Sequence, residues 1–186
     1  MTVTTRLADR DSDLRAIQAL QTQNLRRNVS DSEAAEFGFL MAEFDLEFLR
    51  QMHRSRASIV AVNRDVVVGY ALVATKAIRD GNPLLTALFD QIDQLEFQGR
   101  RLAESDYVVV GQLCVAKEYR GQGLVPRLYQ HFRSSLEADH AFAITEVAKA
   151  NHRSLKAHRK VGFETIHVML YEGLEWEVVL WDWTQV

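Results

Sequence analysis

Cys114 is the single cysteine in 186 residues. Its isolation excludes an intramolecular disulfide and a cysteine-rich metal site, and it fits a reducing compartment, so the cytoplasm is expected. With only 2 Pro and 9 Gly, no proline-rich or glycine-rich linker divides the chain, and one domain over residues 1–186 is expected. No apolar run approaches the length of a membrane-spanning helix, and the opening MTVTTRLADRDSDLR lacks the apolar segment of a secretory signal. Neither sign of charge dominates. The net charge of -3 provides no global field for nucleic acid or an anionic membrane, so neither is expected as a partner. His131, His140, His152 and His167 are scattered without metal-ligand spacing, and no metal is expected. What is present, 47% hydrophobic and 25% charged residues, suits a globular domain with a substantial core.

Local patterns predict the elements. Val3–Leu7 reads as a short strand, and Asp11 or Ser12 caps a helix carrying Leu14, Ile17 and Leu20. Ser30 followed by Glu33 forms a capping-box pattern, opening a helix through Phe37, Leu40, Met41 and Phe44 that resumes at Phe48, Leu49 and Met52. SIVAV (Ser58–Val62) and VVVGYALVAT (Val66–Thr75) flank NRD as a hairpin. DGNP at Asp80–Pro83 is a turn before a helix marked by Leu84, Leu88, Ile92 and Leu95. YVVVGQLCV (Tyr107–Val115) reads as a strand buried on both faces, with Gly111 inviting a bulge. Leu124, Leu128, Phe132 and Leu136 mark the next helix, FAITEV (Phe142–Val147) the next strand. Asn151 then caps a short helix that ends before Gly162, and ETIHVMLY with EWEVVLWDW forms a last hairpin around Glu172–Gly173. The class is α/β with a mixed sheet.

Between strand and helix lies EYRGQGLVPRLYQHF, where Gly121 and Gly123 follow Arg120. Glycines at a helix mouth permit positive φ and close approach of another group to the backbone. The helix N-terminus, with its unpaired N–H groups, favours an anion. The Walker pattern is absent, and the dinucleotide fingerprint fails where Pro126 replaces its third glycine. On these residues alone, a tight turn and an anion cradle both stay open.

NHRSLKAHRKVGF (Asn151–Phe163) changes that balance. Together with QLCVAKEYRGQGLVPRLY it closely resembles the GNAT superfamily of acyl-CoA-dependent N-acetyltransferases. Arg120 and Gly123 match the family's Arg/Gln-x-x-Gly-x-Gly/Ala signature, with Val125 departing at the final small position. Asn151, Ser154, Gly162 and Phe163 match its second block, where His158 stands in place of the usual Tyr. The resemblance implies a twisted mixed sheet of six to seven strands with helices on both faces. The fourth and fifth strands should splay to admit the pantetheine arm, with main-chain groups of Leu113 and Val115, flanking Cys114, pairing with it. Backbone amides of Gly121, Gln122, Gly123, Leu124 and Val125 would cradle the pyrophosphate, Arg120 adding charge. Asn151, against a plainer reading as a bare N-cap, and Ser154, against one as a solvated helix position, would touch the cofactor.

The resemblance further implies transfer of the acetyl group of acetyl-CoA to a primary amine by direct attack. His158, where the family carries a Tyr, would protonate the departing thiolate, against a plainer reading as an amphipathic surface group of the short helix. Glu146, a carboxylate in an apolar strand, is the candidate base, against a plainer reading as an ion-paired strand end; Glu104 and Asp106 are weaker candidates. Cys114 has no activating base near it in sequence and reads as a small core hydrophobe. The final hairpin, with Glu172, Glu175, Glu177, Asp182, Trp176, Trp181 and Trp183, offers either recognition of a cationic amine or alternation between a solvated face and a core or homodimer face. The alternative to an enzyme is a silent acyl-CoA-binding or regulatory domain.

Overall fold

The computed structural model describes residues 2–171 and 173–184, and the side chains of these except at 35–37. The apolar runs become β1 (Val3–Leu7), β2 (Ile59–Asn63), β3 (Val66–Ala74), β4 (Tyr107–Val115), β5 (Phe142–Ala148), β6 (Glu164–Tyr171) and β7 (Leu174–Asp182). They join one seven-stranded sheet in the order β1-β2-β3-β4-β5-β7-β6. Only β4 and β5 pair in parallel. A parallel pair needs a crossover, and α5 (Leu124–Leu136) supplies it.

The other helices are α1 (Asp11–Asn24), α2 (Asp31–Phe37), α3 (Leu46–Ser55), α4 (Pro83–Gln94) and α6 (His152–Val161). Leu14, Ile17, Phe48, Met52 and Phe89 of α1, α3 and α4 pack on one face with Tyr70, Leu72 and Val109. Leu128, Phe132 and Leu155 of α5 and α6 cover the other with Ile59, Val108 and Val179. Layers on both faces explain why the central strands are apolar at nearly every position rather than at alternate ones.

The helix expected through Phe37, Leu40, Met41 and Phe44 stops at Phe37. Gly38 takes φ 76, and its N–H returns to Ala34 O at the helix end. The chain then runs irregularly to Asp45, whose side chain accepts from Phe48 N at 2.8 Å and starts α3. Long-range hydrogen bonds hold this segment: Phe44 N donates to Gln21 Oε1 at 2.9 Å, and Gln112 Nε2 donates to Ala42 O at 2.8 Å. A two-residue hairpin, Glu96–Phe97 with Arg100–Arg101, was not anticipated.

Two irregularities in the sheet shape the site. Leu72 pairs with Gln112 and Val73 with Val110, leaving Gly111 as a bulge. On the other edge of β4, parallel pairing runs only from Tyr107↔Phe142 to Val109↔Ile144. Beyond it, Thr145 Oγ1 donates to Val110 O at 2.9 Å and no ladder follows. The two strands part there.

Candidate active site

The parting of β4 and β5 opens a cleft with two connected compartments. The first is a cavity of about 380 Å³, reached by Leu113, Cys114 and Val115 of β4, the turn from Tyr119 to Pro126, and one side of α6. Ala116 N donates to Val68 O. By strand alternation, the main-chain groups of Leu113 and Val115 therefore turn from β3 toward the open edge. Val115 O is already used, accepting from Arg120 Nε at 3.0 Å, and Arg120 Nη2 binds Asn24 Oδ1. Arg120 thus ties the turn to α1 while its charge stays beside the cavity.

The glycines behave as a ligand cradle requires. Gly121 and Gly123 take φ +77 and +73, and a Cβ at either would meet nothing within 4 Å. Their conformation disfavours ordinary side chains while the space around them is empty, as needed where another molecule's atoms lie against the backbone. α5 begins at Gly123 with no side-chain cap, so its first N–H groups are left for a ligand. Gln122 folds away, its Nε2 donating to Glu118 O at 3.0 Å. Arg120, Arg153, Lys156 and Lys160 line this cavity with no acidic residue among the described lining. In a chain of net charge -3, that local excess favours a polyanion.

α6 stands at the junction. Asn151 Oδ1 accepts from Ser154 N at 3.2 Å as the helix cap, and Nδ2 donates to Phe39 O at 3.3 Å. His158 is 4% exposed, and Tyr129 O–H donates to its Nε2 at 2.6 Å. Because a carbonyl can only accept, the 2.8 Å contact with Ser154 O places the ring hydrogen on Nδ1. Burial pushes the ring down to about 4, so it is neutral at pH 7. Both nitrogens are engaged, a departure from the expectation that His158 offers a proton to a departing thiolate. Ser154 Oγ, 3.3 Å from Nδ1, accepts part of the same hydrogen and keeps its own for a ligand.

The second compartment, about 220 Å³, lies past Leu113, Ser154 and His158, which line both. Glu146 lines it, on the stretch of β5 beyond the parting. Among the described residues no hydrogen bond or ion pair reaches its carboxylate, and burial pushes it up to about 7. The plainer reading required a neighbouring Lys or Arg, and none is paired with it. Glu104 and Asp106 are not among the residues lining either cavity.

A glycine cradle at a helix mouth, cationic walls and a parted parallel pair together fit acetyl-CoA. The sequence matches the acetyltransferase (GNAT) family over residues 22–163. The chain belongs to that family. The fold is shared with Ard1 from Thermoplasma volcanium, at TM-score 0.67 and 13% identity over 98% of each chain. It is shared too with the ribosomal-protein-S18-alanine N-acetyltransferase from Escherichia coli, at 0.65 and 12%, covering 97% of this chain and 94% of that one. Arabidopsis thaliana NAA60, solved in complex with acetyl-CoA, gives 0.63 and 15%, covering 97% and 99%. A search of curated protein sequences finds no match. The GNAT family is one of acetyltransferases.

Against that GNAT frame the remaining candidates sort themselves. Cys114 lines the first cavity yet is 5% exposed, and burial pushes its thiol up to about 12, which leaves it protonated and unreactive. The acidic residues of the last hairpin are largely spent within the GNAT fold. Glu175 pairs with Lys149, Glu177 with Arg159 and Thr165, and Asp182 holds Thr184; Glu172 lies outside the described residues. Trp181 packs against Phe163, whereas Trp176 lines the second cavity. Sequence reasoning missed Thr145, whose hydroxyl makes the last bond between the two strands before they part, and the segment from Gly38 to Phe44, which walls both cavities. Gly38 was the available signal for the latter, as a helix stop. Among the described residues, no group of three or more His, Cys, Asp and Glu could hold a metal ion. No described helix is long and apolar enough to cross a membrane.

Proposed function

We propose that the chain, as one domain, transfers the acetyl group of acetyl-CoA to a primary amine, with both bound together and the amine attacking the thioester directly. The observation that carries this reading is the division of the cleft. A cationic compartment with the glycine cradle meets, across Leu113, Ser154 and His158, a compartment whose sole charged lining residue among those described is Glu146. The two reactants would meet at that boundary, where proximity contributes most of the acceleration.

Glu146 serves as the base. Its carboxylate, with no partner and a midpoint of about 7, accepts a proton from the bound ammonium and frees the nitrogen lone pair. Acetyl-CoA supplies an activated thioester whose thiol, with an ordinary pKa near ~8.5, is a tolerable leaving group. Ser154 and His158 line both compartments, and the Ser154 hydroxyl lies 3.3 Å from His158 Nδ1, which orients it. His158 therefore acts as a positioning residue, and the leaving thiolate's hydrogen bond comes from Ser154.

Following free CoA across a panel of primary amines tests the reading. Steady release with at least one amine, giving a product heavier by one acetyl group, is expected. Tight acetyl-CoA binding with no release for any amine would instead identify a silent acyl-CoA-binding domain.

A further inference from the structure

The second cavity also carries information about its occupant. Most of its buried polar side chains are bonded within the protein, with the indole N–H of Trp176 and the hydroxyl hydrogen of Ser154 left over. Gln112 Oε1 accepts from Tyr70 O–H at 2.6 Å and its Nε2 donates to Ala42 O at 2.8 Å. Thr145 donates to Val110 O, and Asn151 is held by Ser154 N and Phe39 O. Glu146 alone among the described lining residues is charged. A second ammonium placed here would find no second carboxylate among the described lining residues, which a buried site penalises heavily.

The rim points the same way. Met41, Leu84 and Tyr171 line the cavity and are 45%, 44% and 43% exposed. They come from three separate segments, the stretch after α2, the start of α4 and the end of β6, so the apolar collar belongs to the cavity rather than to one element's surface. The cavity, of about 220 Å³, opens onto this collar, so an amine seated at Glu146 carries its body outward along it.

Resting on the reading of this cleft as an acetyl-transfer site, we propose that the acceptor is a primary amine on an uncharged apolar body. Its ammonium reaches Glu146 and its body lies against Met41, Leu84 and Tyr171. A free apolar monoamine and a peptide whose first residue is apolar share this chemistry. Polyamines, aminoglycosides and lysine-rich segments do not.

Calorimetric titration onto the protein saturated with CoA measures acceptor binding apart from turnover. Butylamine, pentylamine and hexylamine should tighten by about three- to four-fold per methylene, and hexylamine should bind at least ten-fold tighter than spermidine. Leu84→Lys and Tyr171→Lys should each weaken hexylamine about ten-fold while leaving acetyl-CoA affinity in the other cavity unchanged. A peptide amide beginning with Leu tells the two sources apart: tighter binding than hexylamine assigns a peptide, weaker binding a free monoamine. Binding that ignores chain length, spermidine binding as well as hexylamine, or no amine binding at all overturns the proposal. Hexylamine that binds as expected but never releases CoA from acetyl-CoA leaves this inference standing and contradicts the acetyl-transfer reading instead.

Discussion

Gly123→Asp separates folding from ligand binding better than any other change in the cradle. Gly123 sits at φ +73 with nothing within 4 Å of a Cβ, so the substitution meets strain but no clash. A left-handed conformation costs an L-residue about 1–2 kcal/mol, and a carboxylate at a helix start returns part of it. The expected fall in Tm without ligand is about 2–4 °C for a chain of this length. At a hundred-fold excess over its Kd, acetyl-CoA should stabilise the wild type by about 2.7 kcal/mol, or about 5–10 °C. The added carboxylate would repel phosphates bound as proposed; a loss of about 2 kcal/mol weakens binding about thirty-fold. The ligand-induced shift then shrinks to about 2–3 °C at the same concentration. Gly123→Ala, with equal strain and no charge, should keep most of the wild-type shift. Melting curves with and without acetyl-CoA decide the matter, and a full shift in Gly123→Asp would refute the cradle.

Other consequences follow from the buried groups. Moving the Glu146 midpoint from 4.5 to about 7 means ionisation in place costs about 3 kcal/mol, at about 1.4 kcal/mol per tenfold. The folded state binds more protons than the unfolded one between those values, so stability falls as pH rises through 4.5 to 7 and stays low above. Glu146→Gln should therefore melt higher than wild type at pH 8 and show no such gain at pH 4; equal shifts at both would contradict the desolvated carboxylate. The His158 ring should titrate near 4 by NMR, and His158→Asn should lower turnover about ten-fold without moving the midpoint of the pH–rate profile. A ring titrating near 6.5 would return His158 to the role of acid. Asn151→Ala removes a cap and the tie to Phe39, and should cost about 1–2 kcal/mol in denaturant unfolding; an unchanged midpoint would count against it.

Much of the fold was legible because its signals are local. β4 carries a run of apolar residues with one glycine, and the structure places the strand at the expected bounds with Gly111 as the bulge. α6 likewise follows from Asn151 as cap and Gly162 as stop. The segment from Gly38 to Phe44 was not legible, since Leu40, Met41 and Phe44 imitate helical spacing while their conformation is set by Gln21, Gln112 and Asn151 far along the chain. The surroundings of Glu146 needed the register, because a one-residue slip reverses a strand's face; pairing with Val178 settles it and leaves the carboxylate lining the second cavity. His158 shows the reverse difficulty. Its position along α6 was evident, but Tyr129 on α5 takes its Nε2, and only three-dimensional packing reveals that.

The most direct measurement is the pH dependence of kcat/KM for CoA release, in wild type and in Glu146→Gln, with one amine and saturating acetyl-CoA. Wild type should rise about ten-fold per pH unit and level off above about 7, where Glu146 is ionised. The variant should fall by about 10²–10⁴-fold, lose that limb of the profile and still bind acetyl-CoA with wild-type affinity. A variant that keeps both the rate and the wild-type profile would contradict base catalysis from Glu146 in this cleft.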